Sequence, residues 1–83
     1  MQNKLIELGF YNKYKSIELL AHAIKIKKQQ PLLKTADIYR KIARATDRSC
    51  TSVEMYIRLA IKKAQNEYNT LTNTQVITLL AQQ

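Results

Sequence analysis

Eighty-three residues with 46% hydrophobic content, one Gly and one Pro make a single small folded domain, not a disordered segment. A domain of this size buries only about 60–65% of its unfolded-chain surface, which leaves room for one core and little for a deep catalytic cavity. The 14 Lys and Arg against 6 Asp and Glu give a net charge of +8, a surplus that fits a polyanionic partner or, equally, a solvated basic surface.

The charge is uneven: +5 over residues 1–34, +4 over residues 35–65, and only Glu67 over residues 66–83. Cys50 is the single cysteine, so no intrachain disulfide can form, which suits a reducing cytoplasm. No apolar run nears the roughly 20 residues of a membrane span. The N-terminus lacks the apolar stretch of a secretory signal.

The pattern is helical almost throughout, with no internal repeat and no period-two alternation. Residues 2–8 suit a short helix that Gly9 terminates. A central helix is expected over residues 12–30, where Tyr14, Ile17, Leu20, Ala21 and Ile24 recur at helical spacing. Leu19, Ala23 and Ile26 widen that stripe. Lys15, Glu18, His22 and Lys25 form the wet side, and Lys25, Lys27 and Lys28 complement the negative end of the dipole. His22 reads as an ordinary surface histidine, with no companion ligands for a metal. Pro31 closes this element or opens a third helix over residues 32–45, with Ile38, Tyr39 and Ile42 inward.

Thr46-Asp47-Arg48-Ser49 has turn chemistry, and Asp47 occupies the place where a helix-turn-helix usually has a left-handed Gly. A fourth helix starts near residues 49–51, where Thr51-Ser52-Val53-Glu54 spells a capping box, and runs to about residue 66. Residues 69–71 form a short connection. Thr72-Asn73-Thr74-Gln75 is a second capping box, opening a last helix with Val76, Ile77, Leu79 and Leu80. The expected fold is therefore an all-α bundle of about five to six helices in one domain, with a helix-turn-helix across Ala43 and Val53.

The fourth helix carries the functional signal. At about 100° per residue, Ile57, Ala60 and Ala64 fall within about 40° of Val53 and form a buried stripe. Thr51, Met55, Arg58 and Lys62 fall on the opposite side, and Glu54 lies on the flank. A helix with one aliphatic and one basic face can enter a DNA major groove. Arg58 can donate two parallel hydrogen bonds to guanine O6 and N7, a pairing worth about 1–3 kcal/mol of discrimination. Thr51 and Met55 stand beside it, Met55 suiting a thymine methyl or plain surface alike. Glu54 can accept from cytosine N4 or serve the capping box. Arg48, Ser49, Lys62 and Lys63 are placed for phosphates, which fix register without reading sequence. Cys50 reads as a small turn residue, and the Tyr residues as core or rim. Thr46 and Arg48 occupy turn positions where helix-turn-helix proteins commonly have apolar residues.

Residues 37–44 (Asp-Ile-Tyr-Arg-Lys-Ile-Ala-Arg) and 49–61 (Ser-Cys-Thr-Ser-Val-Glu-Met-Tyr-Ile-Arg-Leu-Ala-Ile) resemble the DNA-binding effector domain of the sporulation master response regulator of endospore-forming bacteria. Residues 72–77 resemble the start of that family's last helix, and residues 5–10 its opening helix and glycine. The resemblance spans nearly the whole chain and is most specific in the recognition helix. It implies a bacterial transcription factor on duplex DNA, often as two copies on adjacent half-sites, with Glu54 and Arg58 at base-contacting positions. Ser52 and Met55 stand where the family often has Arg, so the family's target sequence does not carry over to this chain. The family's phosphorylatable receiver domain has no counterpart here. The chain is either an excised effector domain or, as the initial Met slightly favours, a stand-alone relative.

The competing class is a helical adaptor or anti-repressor that kept the fold and lost DNA binding, supported by Met55 and Leu59 on the exposed side. An RNA-binding module lacks an aromatic stacking platform. An enzyme fits least: there is no paired-carboxylate cleft, no Cys/His/Asp grouping and no Gly-rich phosphate loop, so no cofactor, metal or small-molecule substrate is expected.

Overall fold

The computed structural model describes residues 2–10 and 16–83. Five α-helices follow in order: α1 (Gln2–Glu7), α2 (Ser16–Gln29), α3 (Thr35–Thr46), α4 (Cys50–Lys62) and α5 (Asn73–Ala81), with a 3₁₀ turn at Glu67–Thr70 before α5. No strand occurs among the described residues. The all-α bundle read from the periodicity is what forms.

α2 is the central element and packs against each of the other four helices or their neighbours, most closely α4 and α5. The stripe explains why: Ile17, Leu19, Leu20, Ala21, Ala23, Ile24 and Ile26 are all buried. A face this wide needs partners on several sides. Ile38 and Ile42 of α3, Val53, Ile57 and Ile61 of α4, and Val76 and Ile77 of α5 close the same core. Each such side chain contributes about 1.5–3 kcal/mol on burial. The part of the expected central helix over residues 12–15, with Tyr14 and Lys15, lies outside the described residues.

Gly9 ends α1 as expected, at φ +96°. Its carbonyl accepts from the Gln65 N–H at 2.7 Å, and the Asn66 side chain donates to the Leu8 carbonyl at 2.6 Å. These bonds also explain why α4 stops at Lys62 and not near residue 66. The backbone N–H of Gln65 and the side-chain amide of Asn66 engage the N-terminal turn, Ala64 is buried, and the helix gives way to the 3₁₀ turn. Residues 69 and 70, expected in a bare connection, belong to that turn.

α3 starts at Thr35, three residues later than expected. Pro31 and Leu32 form a turn, Leu33 donates its N–H to the Gln30 carbonyl at 3.0 Å, and Lys27 Nζ holds the Leu33 carbonyl at 2.9 Å. Leu32 is consequently 97% exposed. Tyr39, expected inward, is half-buried, because its hydroxyl reaches Asn73 at the start of α5. Thr46 ends α3 with its hydroxyl donating to the Ile42 carbonyl, so the turn is shorter than its composition indicated.

Asp47 adopts φ 54° and ψ 45°, the left-handed conformation expected of it. Its N–H and that of Arg48 both return to the Ala43 carbonyl, closing α3. Ser49 then turns extended and caps α4, accepting the Ser52 N–H on its hydroxyl at 3.0 Å. The capping box expected at Thr51 and Glu54 does not form. The left-handed residue at 47 brings the chain into helical register two residues before Thr51, so Ser49 is the cap and Thr51 lies in the first turn. The second box does form: Thr72 accepts from Gln75 N–H, and the Gln75 side chain accepts the Thr72 N–H. In α5, Leu80 enters the core while Leu79 stays 44% exposed.

Candidate nucleic-acid interface

α4 is anchored on one side and open on the other. Val53, Ile57, Ala60, Ile61 and Ala64 are 0–4% exposed. Thr51, Met55, Arg58 and Lys62 are exposed and form a ridge along the opposite side. The helix is about 20 Å long at 1.5 Å per residue, so Ser49 and Lys62 mark the two ends of that ridge.

The side chains on the ridge are arranged unequally. Arg58 Nη2 lies 3.3 Å from Glu54 Oε1 one turn away, with both side chains around half exposed. An exposed pair at this spacing stabilises by about 0.3–0.5 kcal/mol, so a stronger partner can separate it readily. Arg48 sits over the ring of Tyr56, its Cζ 5.1 Å from the centroid. Ser49 is exposed, and while its oxygen caps α4 its proton stays available to an outside acceptor. Lys62 and Lys63 are exposed at the far end, where the Lys63 N–H also closes the last turn. All eight residues expected at the interface therefore lie on α4 or its two ends. Thr51, Met55, Arg58 and Lys62 come together on the ridge, Glu54 lies on its flank, and Arg48, Ser49 and Lys63 stand at its ends.

Grooves run along both flanks. One, of about 530 Å³, lies between α4 and the starts of α3 and α5, with Thr35, Tyr39, Glu54, Arg58, Asn73 and Thr74 among its walls. The other, of about 490 Å³, is lined by Ser49, Thr51, Ser52, Met55, Tyr56 and Leu59.

The first groove holds residues the sequence reading did not single out. Asn73 is 9% exposed, and its amide donates to the Tyr39 hydroxyl at 3.0 Å and to the Glu54 carbonyl at 3.2 Å. One side chain thus joins α3, α4 and α5. Thr35 and Thr74 share a hydroxyl hydrogen bond at 2.9 Å across the same groove. Burial raises the Tyr39 hydroxyl above its ordinary pKa, partly offset by the Asn73 hydrogen bond. These contacts span 19 to 39 residues of sequence, beyond the reach of periodicity.

No family model matches this chain, and no curated protein or solved structure matches it at a significant level. The site must therefore be read from its own geometry. Among the described residues no three His, Cys, Asp or Glu side chains meet in a set that could hold a metal ion. Cys50 is exposed in the first turn of α4. No described helix is long and apolar enough to cross a membrane. What the arrangement offers is a convex, basic, hydrogen-bonding ridge with cations at both ends.

Proposed function

We infer that this domain binds double-stranded DNA in a sequence-specific manner and serves as a cytoplasmic bacterial transcriptional regulator, related to the sporulation response-regulator effector domain. The observation that carries this reading is the division of α4. Its aliphatic side is fixed in the core, while Thr51, Met55, Arg58 and Lys62 stand exposed on a continuous ridge. A helix about 10–12 Å across matches the major groove, about 12 Å wide. Arg58 and Glu54 are the base-reading pair, with Thr51 and Met55 beside them. Arg48, Ser49, Lys62 and Lys63 hold the two flanking phosphate strands. Two copies on adjacent half-sites fit the same reading, with each α4 in successive turns of one duplex face.

Selection of bound sites from a random duplex pool tests the proposal. An enriched motif, repeated at about 10 base-pair spacing if two copies bind, supports it. Recovery of no motif, with no shift of random duplex at low salt, rejects it.

The adaptor reading has one observation of its own. Met55 is 64% exposed beside the groove that Tyr56 and Leu59 line, a surface that suits a partner helix. A gel shift with random duplex at low and moderate salt separates the two, because only the DNA-binding reading requires a complex that salt weakens.

A further inference from the structure

Three of the four arginines, Arg40 on α3, Arg48 in the turn before α4 and Arg58 on α4, engage another side chain among the described residues, and they are held differently. Arg40 pairs with Asp37, and Arg58 pairs with Glu54. Among the described residues, Arg48 meets no carboxylate and lies over the Tyr56 ring instead. The difference matters for an incoming anion. A guanidinium in an ion pair has spent part of its donor edge on a carboxylate, which an arriving phosphate must displace. A guanidinium over an aromatic ring is engaged through its face, and its N–H edge stays free. The ring also limits the rotamers of a side chain whose freedom is otherwise about 2 kcal/mol.

The backbone reinforces this hold. Arg48 follows the left-handed Asp47, and its N–H is tied to the Ala43 carbonyl at 3.0 Å. Tyr56 is fixed from the other side, on α4 between the buried Val53 and Ala60 and half-buried itself. Ring and guanidinium therefore meet beside the N-terminal half of α4, where Tyr56 lines the same groove as Ser49 and Thr51.

We propose that Tyr56 is a positioning residue: its ring presets the Arg48 guanidinium to take a phosphodiester of duplex DNA edge-on. The inference deepens the DNA-binding reading and rests on it. Tyr56 touches no base and no phosphate. It acts through Arg48, and its hydroxyl is not needed.

Titration of a labelled random-sequence duplex over a salt series tests this, because a phosphate contact does not depend on sequence. Tyr56→Leu should lower affinity about two- to five-fold, the range of an exposed cation–π contact, and flatten the salt slope toward one lost contact of about 0.9. Tyr56→Phe keeps the ring and should bind as the parent does. Arg48→Ala should lose at least as much as Tyr56→Leu, and the double variant should be no worse than Arg48→Ala alone.

The Arg48 Nε–H resonance gives a readout that needs no DNA. It should move on Tyr56→Leu and hold on Tyr56→Phe, since only the ring current changes. If the resonance is the same in all three proteins, or if Tyr56→Leu binds and responds to salt like the parent, the inference fails while DNA binding stands. Additive losses in the double variant also overturn it, since Tyr56 then acts independently of Arg48. If the parent protein does not bind duplex at low salt, the DNA-binding reading falls and takes this inference with it. Should Tyr56→Leu unfold, Tyr56→Met, which fills more of the same half-buried space without a ring, takes its place and must give the same loss of affinity, slope and resonance position.

Discussion

Arg58 and Glu54 face one another at 3.3 Å across a single turn of α4, and both lie at the edge of the groove that leads to α3 and α5. The pair aligns a donor and an acceptor along the ridge without locking either. A guanine can take the Arg58 donors and a neighbouring cytosine can supply the N4–H that Glu54 accepts.

Arg58 and Lys62 should therefore fail in different ways. Arg58→Ala should flatten discrimination among selected sites by about 1–3 kcal/mol while retaining most affinity for random duplex. Lys62→Ala should weaken all duplexes alike and reduce the salt slope by about 0.9. Competition binding with selected and scrambled duplexes over a salt series measures both quantities, and equal behaviour of the two variants refutes the division of roles.

Tyr39 and Asn73 set the relation of α4 to its neighbours and make stability depend on pH. Burial raises the Tyr39 hydroxyl above the 10.0 of a free tyrosine. In the unfolded chain the hydroxyl loses its proton first. The unfolded state then holds fewer protons than the native state, and unfolding is favoured as pH rises. The contribution is thus fully present below pH 10 and is lost as pH climbs through the higher native value. Urea denaturation from pH 8 to 11 should show a smaller decline in Tyr39→Phe than in the parent. Asn73→Ala removes both donated bonds and should destabilise by about 1–3 kcal/mol at neutral pH.

Gly9 is the one glycine, and its site admits no other residue easily. A Cβ there would stand 3.0 Å from the carbonyl oxygen of Gln65, a residue whose own N–H is bonded to the Gly9 carbonyl at 2.7 Å. The positive φ adds about 1–2 kcal/mol for any L-residue with a side chain. Gly9→Ala should lower unfolding free energy by at least that amount in urea. A shift below about 0.5 kcal/mol would show that the junction between α1 and the segment after α4 yields freely.

The ridge was legible in the sequence because helical spacing alone separates Val53, Ile57 and Ala60 from Thr51, Met55, Arg58 and Lys62. The central place of α2 was legible for a similar reason: seven apolar residues between Ile17 and Ile26 cannot be buried by one neighbour. The walls of the grooves were not. Asn73 looks from sequence like the first residue of a capped helix, and nothing local says that its amide crosses to Tyr39 and Glu54. α4 starts within the expected residues 49–51, but its cap was not legible, for the opposite reason. Two hydroxyls, Ser49 and Thr51, are each competent caps, and Ser49 alone follows the left-handed turn at the distance a cap needs. Leu32 shows the same limit, since its hydropathy fits a helix face while Pro31 and the Lys27 bond to Leu33 hold it in a turn.

Asp47 joins the fold and the site, and substitutions there should separate the two. Its left-handed backbone favours Gly or Asn over any β-branched residue. Asp47→Val should therefore destabilise by about 1–2 kcal/mol. Asp47→Asn keeps the conformational tolerance and removes a negative charge adjacent to Arg48, so stability should hold while affinity rises. That gain comes from electrostatics near the proposed phosphate contact, so it should appear with every duplex and shrink as salt is added. Thermal melts of the free protein and random-duplex titrations at two salt concentrations read the two effects independently. If Asp47→Asn binds no better than the parent at low salt, the turn between α3 and α4 does not approach the phosphate backbone. Arg48 and Ser49 must then be released from the interface even if Arg58 still reads bases.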